Sequence, residues 1–132
     1  MSLNKRLIAR LILALVCLLM AALTIPAYLN PSLNPALATL TGEALSLGSA
    51  AGAFLGRQAT ILVLAAIGIG IARRDLLLAA AFVLGAINAH DAIFLFLFGS
   101  AESLGGALGG LVFAALAGLS FGLIWTSEDT QT

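Results

Sequence analysis

The chain has 132 residues, of which 61% are hydrophobic and only 9% charged, and its six basic and six acidic residues cancel. A typical soluble domain is about 25% charged, and a chain of this length buries too little of its surface to hide so many apolar residues. The composition therefore excludes an ordinary soluble globule. The zero net charge, with no cluster of basic residues, excludes nucleic acid as a partner.

A first apolar run follows a basic start that contains Lys5, Arg6 and Arg10. A basic start before an apolar run is typical of a signal peptide, but this run is longer than the apolar core of a signal peptide. We therefore expect an uncleaved membrane-spanning helix over residues 7–28. The run holds the single cysteine of the chain, Cys17, which leaves no pair of cysteines for an internal disulfide, a redox motif or a zinc site.

The longest connection covers residues 29–52 and contains two Asn-Pro pairs, which are typical of turns. Within it, apolar residues recur at spacings of three or four over residues 35–47, and this pattern predicts a short helix with one apolar face. We expect the segment to lie on the outer membrane surface or to cap the bundle. Glu43 would then lie on its polar side, at the outer rim.

Two further apolar runs, residues 53–71 and 76–98, are separated only by a short polar turn. Such a short connection makes the two helices antiparallel neighbours. A fourth run covers residues 104–125, after a turn that exposes Glu102. Runs of this length predict an all-α, antiparallel four-helix transmembrane bundle. The length of the chain predicts a single transmembrane domain over residues 1–132.

The basic residues near the helix ends predict the orientation, because cytoplasmic ends carry an excess of Lys and Arg. Most of them lie at the end of the bundle that also holds both termini: Lys5, Arg6, Arg10, Arg73 and Arg74. Arg57 lies at the other end. Both termini are therefore predicted to be cytoplasmic (N-in, C-in), with the 29–52 connection facing outward. We interpret the membrane as a bacterial inner (plasma) membrane.

Small residues recur every four positions along three of the predicted helices. The strip on the fourth helix consists of Gly106, Gly110, Ala114, Gly118 and Gly122. The third helix carries Ala81, Gly85 and Ala89, and the second carries Gly52, Gly56 and Thr60. In lipid, such small-xxx-small strips let helix backbones approach closely, which drives association where the hydrophobic effect cannot. We expect the strips to pack inside one bundle, and packing against a second copy is the open alternative.

The third predicted helix carries three polar residues among apolar neighbours: Asn88, His90 and Asp91. An ionisable residue inside a membrane span is costly, so it normally faces a partner, a cavity or water. Arg57 and Asp91 are equally far in sequence from Arg74, so an antiparallel hairpin brings them to the same depth in the outer third of the membrane. We predict an ion pair between them, which lowers the cost of burying either charge.

The polar residues of the two inner spans predict a pocket that opens outward, with Glu43 and Glu102 at its rim. Asn88 shares a helix face with Asp91, whereas His90 is about 100° away and is expected to face the first helix, the fourth helix or the outer connection. The ion pair could instead serve only to fix the helix register, and both interpretations stay open. One histidine and scattered carboxylates lack the spacing of metal ligands, so we expect no metal and no cofactor.

Three short motifs of the inner spans carry a family resemblance: Gly56-Arg57, the Arg73-Arg74 turn and Asp91. In these motifs the chain resembles the DoxX-like group of small four-helix membrane proteins, and the resemblance covers residues 56–98. It implies a four-span layout with the N-terminus inside. It also implies that Arg57 and Asp91 match the Arg and the acidic residue of the group's inner spans. Some members are linked to sulfur or redox metabolism and to membrane complexes.

The leading hypothesis is a small, non-enzymatic integral membrane protein that binds a lipid or small amphiphile in the outward pocket, or serves as an accessory subunit of a membrane complex. The first alternative is a proton-coupled transporter of small molecules in which Asp91 carries the proton. The second is a purely structural subunit that packs through its glycine strips. An enzyme with His90 or Asp91 as general base has no supporting motif. Expected partners are membrane lipid and either a second copy or a larger membrane complex.

Overall fold

In a computed structural model, the chain folds into long α-helices and short 3₁₀ helices. The structure describes residues 4–40 and 48–127, and no strand occurs within these ranges. The long helices are α1 Lys5–Ala27, α2 Ala50–Ile71, α3 Arg74–Phe98 and α4 Leu104–Trp125. Each is long and apolar enough to cross a membrane, whose hydrocarbon core is roughly 30 Å thick. For the described residues, the prediction of an all-helical fold with four helices of spanning length is thus confirmed, which suggests a membrane protein.

The short turn predicted between α2 and α3 consists of Ala72 and Arg73 only. Ala72 ends α2 in the left-handed conformation, with φ at 60°, and its N–H donates to the Gly68 carbonyl at 3.0 Å. A left-handed residue just past the end of a helix is a common way to satisfy the last carbonyls. Arg74 and Asp75, which the sequence suggested as part of the turn, instead form the first turn of α3.

The outer connection begins with two 3₁₀ helices, Pro31–Leu33 and Pro35–Leu40. The helix predicted over residues 35–47 is therefore 3₁₀ and not α over its first part, because prolines and turn-forming asparagines favour short, tight turns. Residues 41–47, which include Glu43, lie outside the described residues. Ser49 then caps α2, since its hydroxyl oxygen accepts a hydrogen bond from the Gly52 N–H at 3.0 Å.

The Pro35–Leu40 helix packs on the ends of the long helices. Asn34 begins it, because the Asn34 Oδ1 accepts from the Ala36 N–H at 2.9 Å. Ala36 lies on α4 so closely that a Cβ at Gly106 would come within 2.8 Å of the Ala36 backbone. Leu37 is buried in a small apolar cluster with Ala27, Ala51 and Leu55. This part of the connection therefore caps the bundle, which was one of the two predicted positions.

Two arginines close the opposite end of the bundle. Arg10 of α1 donates from Nε to the carbonyl of Ile69 at 2.8 Å and from Nη2 to that of Gly70 at 3.4 Å. Arg74 of α3 donates from Nη2 to the Trp125 carbonyl at 3.2 Å. The last carbonyls of a helix lack partners within the helix and carry its negative dipole end. Each arginine thus satisfies the C-terminal end of a neighbouring helix, a role that the sequence had not indicated.

The main core lies between all four helices. Its fully buried side chains come from α1, α3 and α4 and include Leu13, Val16, Leu77, Leu84 and Ile124. Around the bundle, α1 packs on α2 and α4, and α3 packs on the same two helices. Many large apolar side chains instead point away from the other helices, for example Leu18, Phe82 and Phe96. A bilayer would cover this outer surface.

The glycine strips pack only in part. Gly110 lies on α3, where an added Cβ would be 3.0 Å from the Asn88 carbonyl oxygen, and Gly85 approaches Ala117 of α4. At Gly118, however, an added Cβ would meet no atom of the described residues within 4 Å. Because an α-helix has 3.6 residues per turn, positions four apart drift by about 40° per step. A long strip therefore winds off the contact face, so the expected packing inside the bundle occurs at Gly110 and Gly85 and not at Gly118.

Candidate functional site

Arg57 of α2 and Asp91 of α3 are in direct contact. The Arg57 Nη2 lies 2.8 Å from Asp91 Oδ1 and 2.7 Å from Oδ2. One nitrogen thus contacts both carboxylate oxygens, while the Arg57 Nε is buried without a hydrogen-bond partner among the described residues. The side chain of Asp91 is 12% exposed and that of Arg57 38% exposed. The carboxylate is therefore the more deeply held partner, and the guanidinium extends toward the surface.

Asp91 gathers two further polar side chains. Gln58 donates from Nε2 to Asp91 Oδ2 at 3.3 Å, and the Nδ1 of His90 lies 3.1 Å from Asp91 Oδ1. The guanidinium of Arg57 also lies over the ring of Phe54, 5.3 Å from its centroid. Gln58 was missed at the sequence level, although an amide next to Arg57 in an otherwise apolar run was a signal. Asp91 is therefore the centre of the polar group.

His90 was expected to face the first helix, the fourth helix or the 29–52 connection. It is largely exposed and lies against Asp91, and it lines the same space as Ala36 and Leu37 of that connection. Although adjacent helix positions are about 100° apart at the Cβ, a side chain as long as His can lean toward its neighbour. The His90 ring stacks on Phe94 at a centroid distance of 6.3 Å, and Phe94 contacts Phe98 at 5.1 Å.

Asn88 is buried and turned toward α1. Its Nδ2 donates to the Leu84 carbonyl at 2.8 Å and contacts the Met20 sulfur at 3.3 Å. It forms no hydrogen bond with Asp91 in the described part of the chain. Of the two predicted rim residues, Glu102 is exposed in the 3₁₀ helix Ala101–Ser103, away from the polar group, and Glu43 lies outside the described residues.

A large groove runs between α2 and α3 beside the ion pair, and we call it the α2–α3 groove. Its volume is about 600 Å³, and its lining includes Phe54, Arg57, His90, Asp91, Phe94 and Phe98. The polar groups lie together and the remaining walls are mostly aromatic and aliphatic. Sites for small molecules are typically concave, mostly apolar and fitted with a few polar groups.

A smaller space, the inner cavity, lies on the other side of Asp91. Its volume is about 70 Å³, and its polar lining consists of Thr24, Asn34, Gln58, Asn88 and Asp91. The inner cavity and the α2–α3 groove share four lining residues: Ala36, Phe54, Asp91 and Leu95. The two spaces are thus neighbours, and Asp91 borders both.

Metal ligands do not gather here: within residues 4–40 and 48–127, no three His, Cys, Asp or Glu side chains come together as a metal ion would need. The polar groups that line the two spaces are a guanidinium, a carboxylate, an imidazole, three amides and two hydroxyls. This set suits hydrogen bonding to a polar head.

Comparisons with protein-family models, with curated proteins and with solved structures find no match for this chain. The similarity to the DoxX-like group therefore stays a prediction. Any function assigned to Arg57, Gln58, His90 and Asp91 rests on their geometry.

Proposed function

We propose that this protein binds a lipid or a small amphiphile in the α2–α3 groove, as a non-enzymatic integral membrane protein. The observation that carries the proposal is the groove itself, which combines about 600 Å³ of volume with polar groups on one part of its lining. The polar part is built around the Arg57–Asp91 pair. An amphiphile has the same division, with a polar head and an apolar tail.

The aromatic wall of the groove suits an apolar tail. Phe94 and Phe98 lie one helical turn apart on α3, and both are more than half exposed in the described structure. In a membrane, such side chains would hold a tail through van der Waals packing, because lipid already covers apolar surface. The head would contact the Arg57, His90 and Asp91 side chains. A binding role agrees with the engagement of both Asp91 oxygens by neighbouring side chains, which leaves the carboxylate poorly placed to act as a general base.

The proposed arrangement in the membrane is antiparallel, with both termini in the cytoplasm of a bacterial cell. The contact of Arg10 with Ile69 joins the start of α1 to the end of α2, and the contact of Arg74 with Trp125 joins the start of α3 to the end of α4. These pairs support an up-down-up-down layout. Because basic residues concentrate at cytoplasmic ends, the Arg57–Asp91 pair and the groove would open toward the outside.

Two phenylalanines of α3 provide a matched test of lipid binding. Phe94 lines the groove, whereas Phe96 is similarly exposed and is not part of the lining. The proteins are purified in mild detergent, and the retained lipid per protein is measured by mass spectrometry. We expect Phe94→Ala to reduce retained lipid about tenfold, since it removes the packing contacts of one aromatic ring with the tail. Phe96→Ala is expected to retain the wild-type amount.

Two results would contradict the proposal. In the first, the wild-type protein carries no stoichiometric lipid and gains none when lipid is added back. In the second, the Phe94 and Phe96 variants lose lipid equally, which would assign the retained lipid to the general outer surface of the bundle.

A structural subunit is the second candidate function, and the outer face of α4 favours it. Gly118 and Gly122 leave open space toward the outside, with no atom of the described residues near an added Cβ. Glycines on a lipid-facing surface allow another helix to approach closely. Native mass spectrometry in mild detergent tests this role: assembly with a second copy or another protein that is lost in Gly118→Leu would support it. A monomer in both forms would exclude it.

A further inference from the structure

We propose that the head of the bound amphiphile is an uncharged hydroxyl group that enters the inner cavity and donates a hydrogen bond to Gln58. This inference rests on the binding function proposed above and narrows its ligand to one chemical class, long-chain alcohols. Its basis is that some hydrogen-bonding groups in the lining of the inner cavity have no hydrogen-bond partner among the described residues.

Gln58 provides the main observation. Its side chain is only 6% exposed, and its Nε2 donates to the Asp91 carboxylate. Because a carboxylate can only accept, this contact fixes the orientation of the amide. The Gln58 Oε1 is left buried without a partner in the described part of the chain. A buried acceptor without a donor is costly, so Gln58 calls for a donor from outside these residues.

Two asparagines of the same lining extend the pattern. The Asn88 Nδ2 donates to the Leu84 carbonyl, and its Oδ1 has no hydrogen bond within the described ranges. The Asn34 Oδ1 accepts from the Ala36 N–H, so its Nδ2 is the group that remains to donate. The cavity thus offers acceptors at Gln58 and Asn88 and a donor at Asn34. A hydroxyl both donates and accepts, so it matches this lining.

The charges around the cavity exclude an ionic head. Arg57 and Asp91 neutralise each other at 2.7 Å, so the site carries no net charge to attract an ion. An anionic head entering the inner cavity would approach the Asp91 carboxylate. An ammonium head would share the Asp91 carboxylate with Arg57 and leave the group with an excess positive charge, and a buried excess charge is costly.

The inner cavity is much smaller than the α2–α3 groove, with a volume of about 70 Å³ against about 600 Å³. A hydroxyl is among the smallest polar heads, so it suits this space better than a bulky head does. The shared lining residue Asp91 marks where the molecule would pass into the α2–α3 groove, along which the tail would lie.

Three amphiphiles that have the same dodecyl tail and different heads test which head the protein prefers. The protein is placed in nanodiscs of phosphatidylcholine, whose headgroup carries no hydrogen-bond donor. Dodecan-1-ol, dodecyl methyl ether and dodecylamine are added at equal mole fractions, and apparent affinity is taken from the rise in the thermal unfolding midpoint. We expect the alcohol to bind about tenfold more tightly than the ether, which cannot donate. The amine is expected to bind more weakly than the alcohol.

The variant Gln58→Met tests the role of the Gln58 amide oxygen, because Met has a similar size and its thioether is only a weak acceptor. It is expected to reduce the advantage of the alcohol over the ether to less than about twofold, with the affinity for the ether unchanged. If this variant does not fold, the ranking of the three compounds on the wild-type protein is sufficient to decide.

Each outcome has a separate meaning. Equal binding of ether and alcohol overturns the donor inference and leaves the groove as the binding site. An amine that binds as tightly as the alcohol overturns the uncharged head. If none of the three compounds stabilises the protein, the inference and the proposed binding function both fail.

Discussion

At the scale of single residues, Asp91 is the point where the polar contacts converge. It contacts Arg57, Gln58 and His90, which come from two helices and surround one carboxylate. A charge in an apolar environment is tolerated when it is paired and hydrogen-bonded. Arg57 supplies the counter-charge and Gln58 an additional donor. The group therefore stabilises the α2–α3 pair at the same time as it forms the polar part of the groove.

The first prediction concerns the ion pair. Asp91→Ala leaves the charge of Arg57 without its partner, and we expect a loss of about 1–2 kcal/mol in the free energy of unfolding. This is below the roughly 3–5 kcal/mol typical of fully buried pairs, because Arg57 is 38% exposed. The double variant with Arg57→Met should lose less than the two single variants together. Thermal unfolding in mild detergent measures each of these changes.

The chain contains its own control for this prediction. Arg73 and Asp75 form an ion pair of the same length, 2.7 Å, but both side chains are more than 60% exposed. Solvent screens exposed ion pairs, which contribute little to stability, so Asp75→Ala should change stability less than Asp91→Ala. A larger effect at Asp75 would contradict the account given for Asp91.

At the scale of secondary structure elements, the helices meet in two different ways. α3 and α4 approach through small residues, with Gly110 against the α3 backbone and Gly85 against Ala117. α2 and α3 meet at one end through the tight turn at Ala72 and near the other through Arg57 and Asp91. The groove lies between this second pair of helices, beside the ion pair.

The second prediction compares two glycines of α4. At Gly110 an added Cβ would lie 3.0 Å from Ala92 Cβ and from the Asn88 carbonyl oxygen, whereas at Gly118 it would meet open space. We expect Gly110→Leu to lower the free energy of unfolding by about 1–3 kcal/mol through overpacking. Gly118→Leu should not destabilise the monomer, because it adds a good helix former without a clash.

Thermal unfolding in mild detergent distinguishes the two glycine variants. Both changes place the same side chain in the same helix, so any difference between them reports on packing against α3. Equal melting temperatures would show that Gly110 is not part of a close contact.

At the scale of the whole molecule, the distribution of polar groups gives the bundle two different ends. One end has Arg10 and Arg74 on the last carbonyls of α2 and α4. The other has the 3₁₀ helices of the connection, the ion pair and the groove. Between them the outer surface is apolar. This asymmetry is the basis of the proposed orientation.

The third prediction tests the orientation with single cysteines in a Cys17→Ser background. Glu102 and Arg73 are both exposed and belong to opposite ends of the bundle. In intact cells, a membrane-impermeant maleimide should label Glu102→Cys, and it should label Arg73→Cys only after permeabilisation. Labelling in the reverse pattern would invert the proposed topology and direct the groove into the cytoplasm.

Much of the fold could be predicted from the sequence because a bilayer constrains the length and the composition of the helices that cross it. A span needs about 20 apolar residues, and runs of that length identified all four helices to within a few residues. The short turn at Ala72 brought Arg57 and Asp91 to one depth, and they are in contact in the structure. Hydropathy, helix length and turn length are properties of one stretch of chain, so they can be predicted without knowing which other helices that stretch contacts.

Other features depended on how the helices rotate about their axes and on where side chains lean. Gln58 beside Asp91, His90 in the groove, Arg10 on a neighbouring helix end and the half-packed glycine strip all belong to this group. The sequence by itself determined that four apolar helices form and that two of them carry opposite charges at one depth. Only the tertiary structure decided which faces meet, because helix rotation and side-chain rotamers are set by contacts between elements that are distant in sequence.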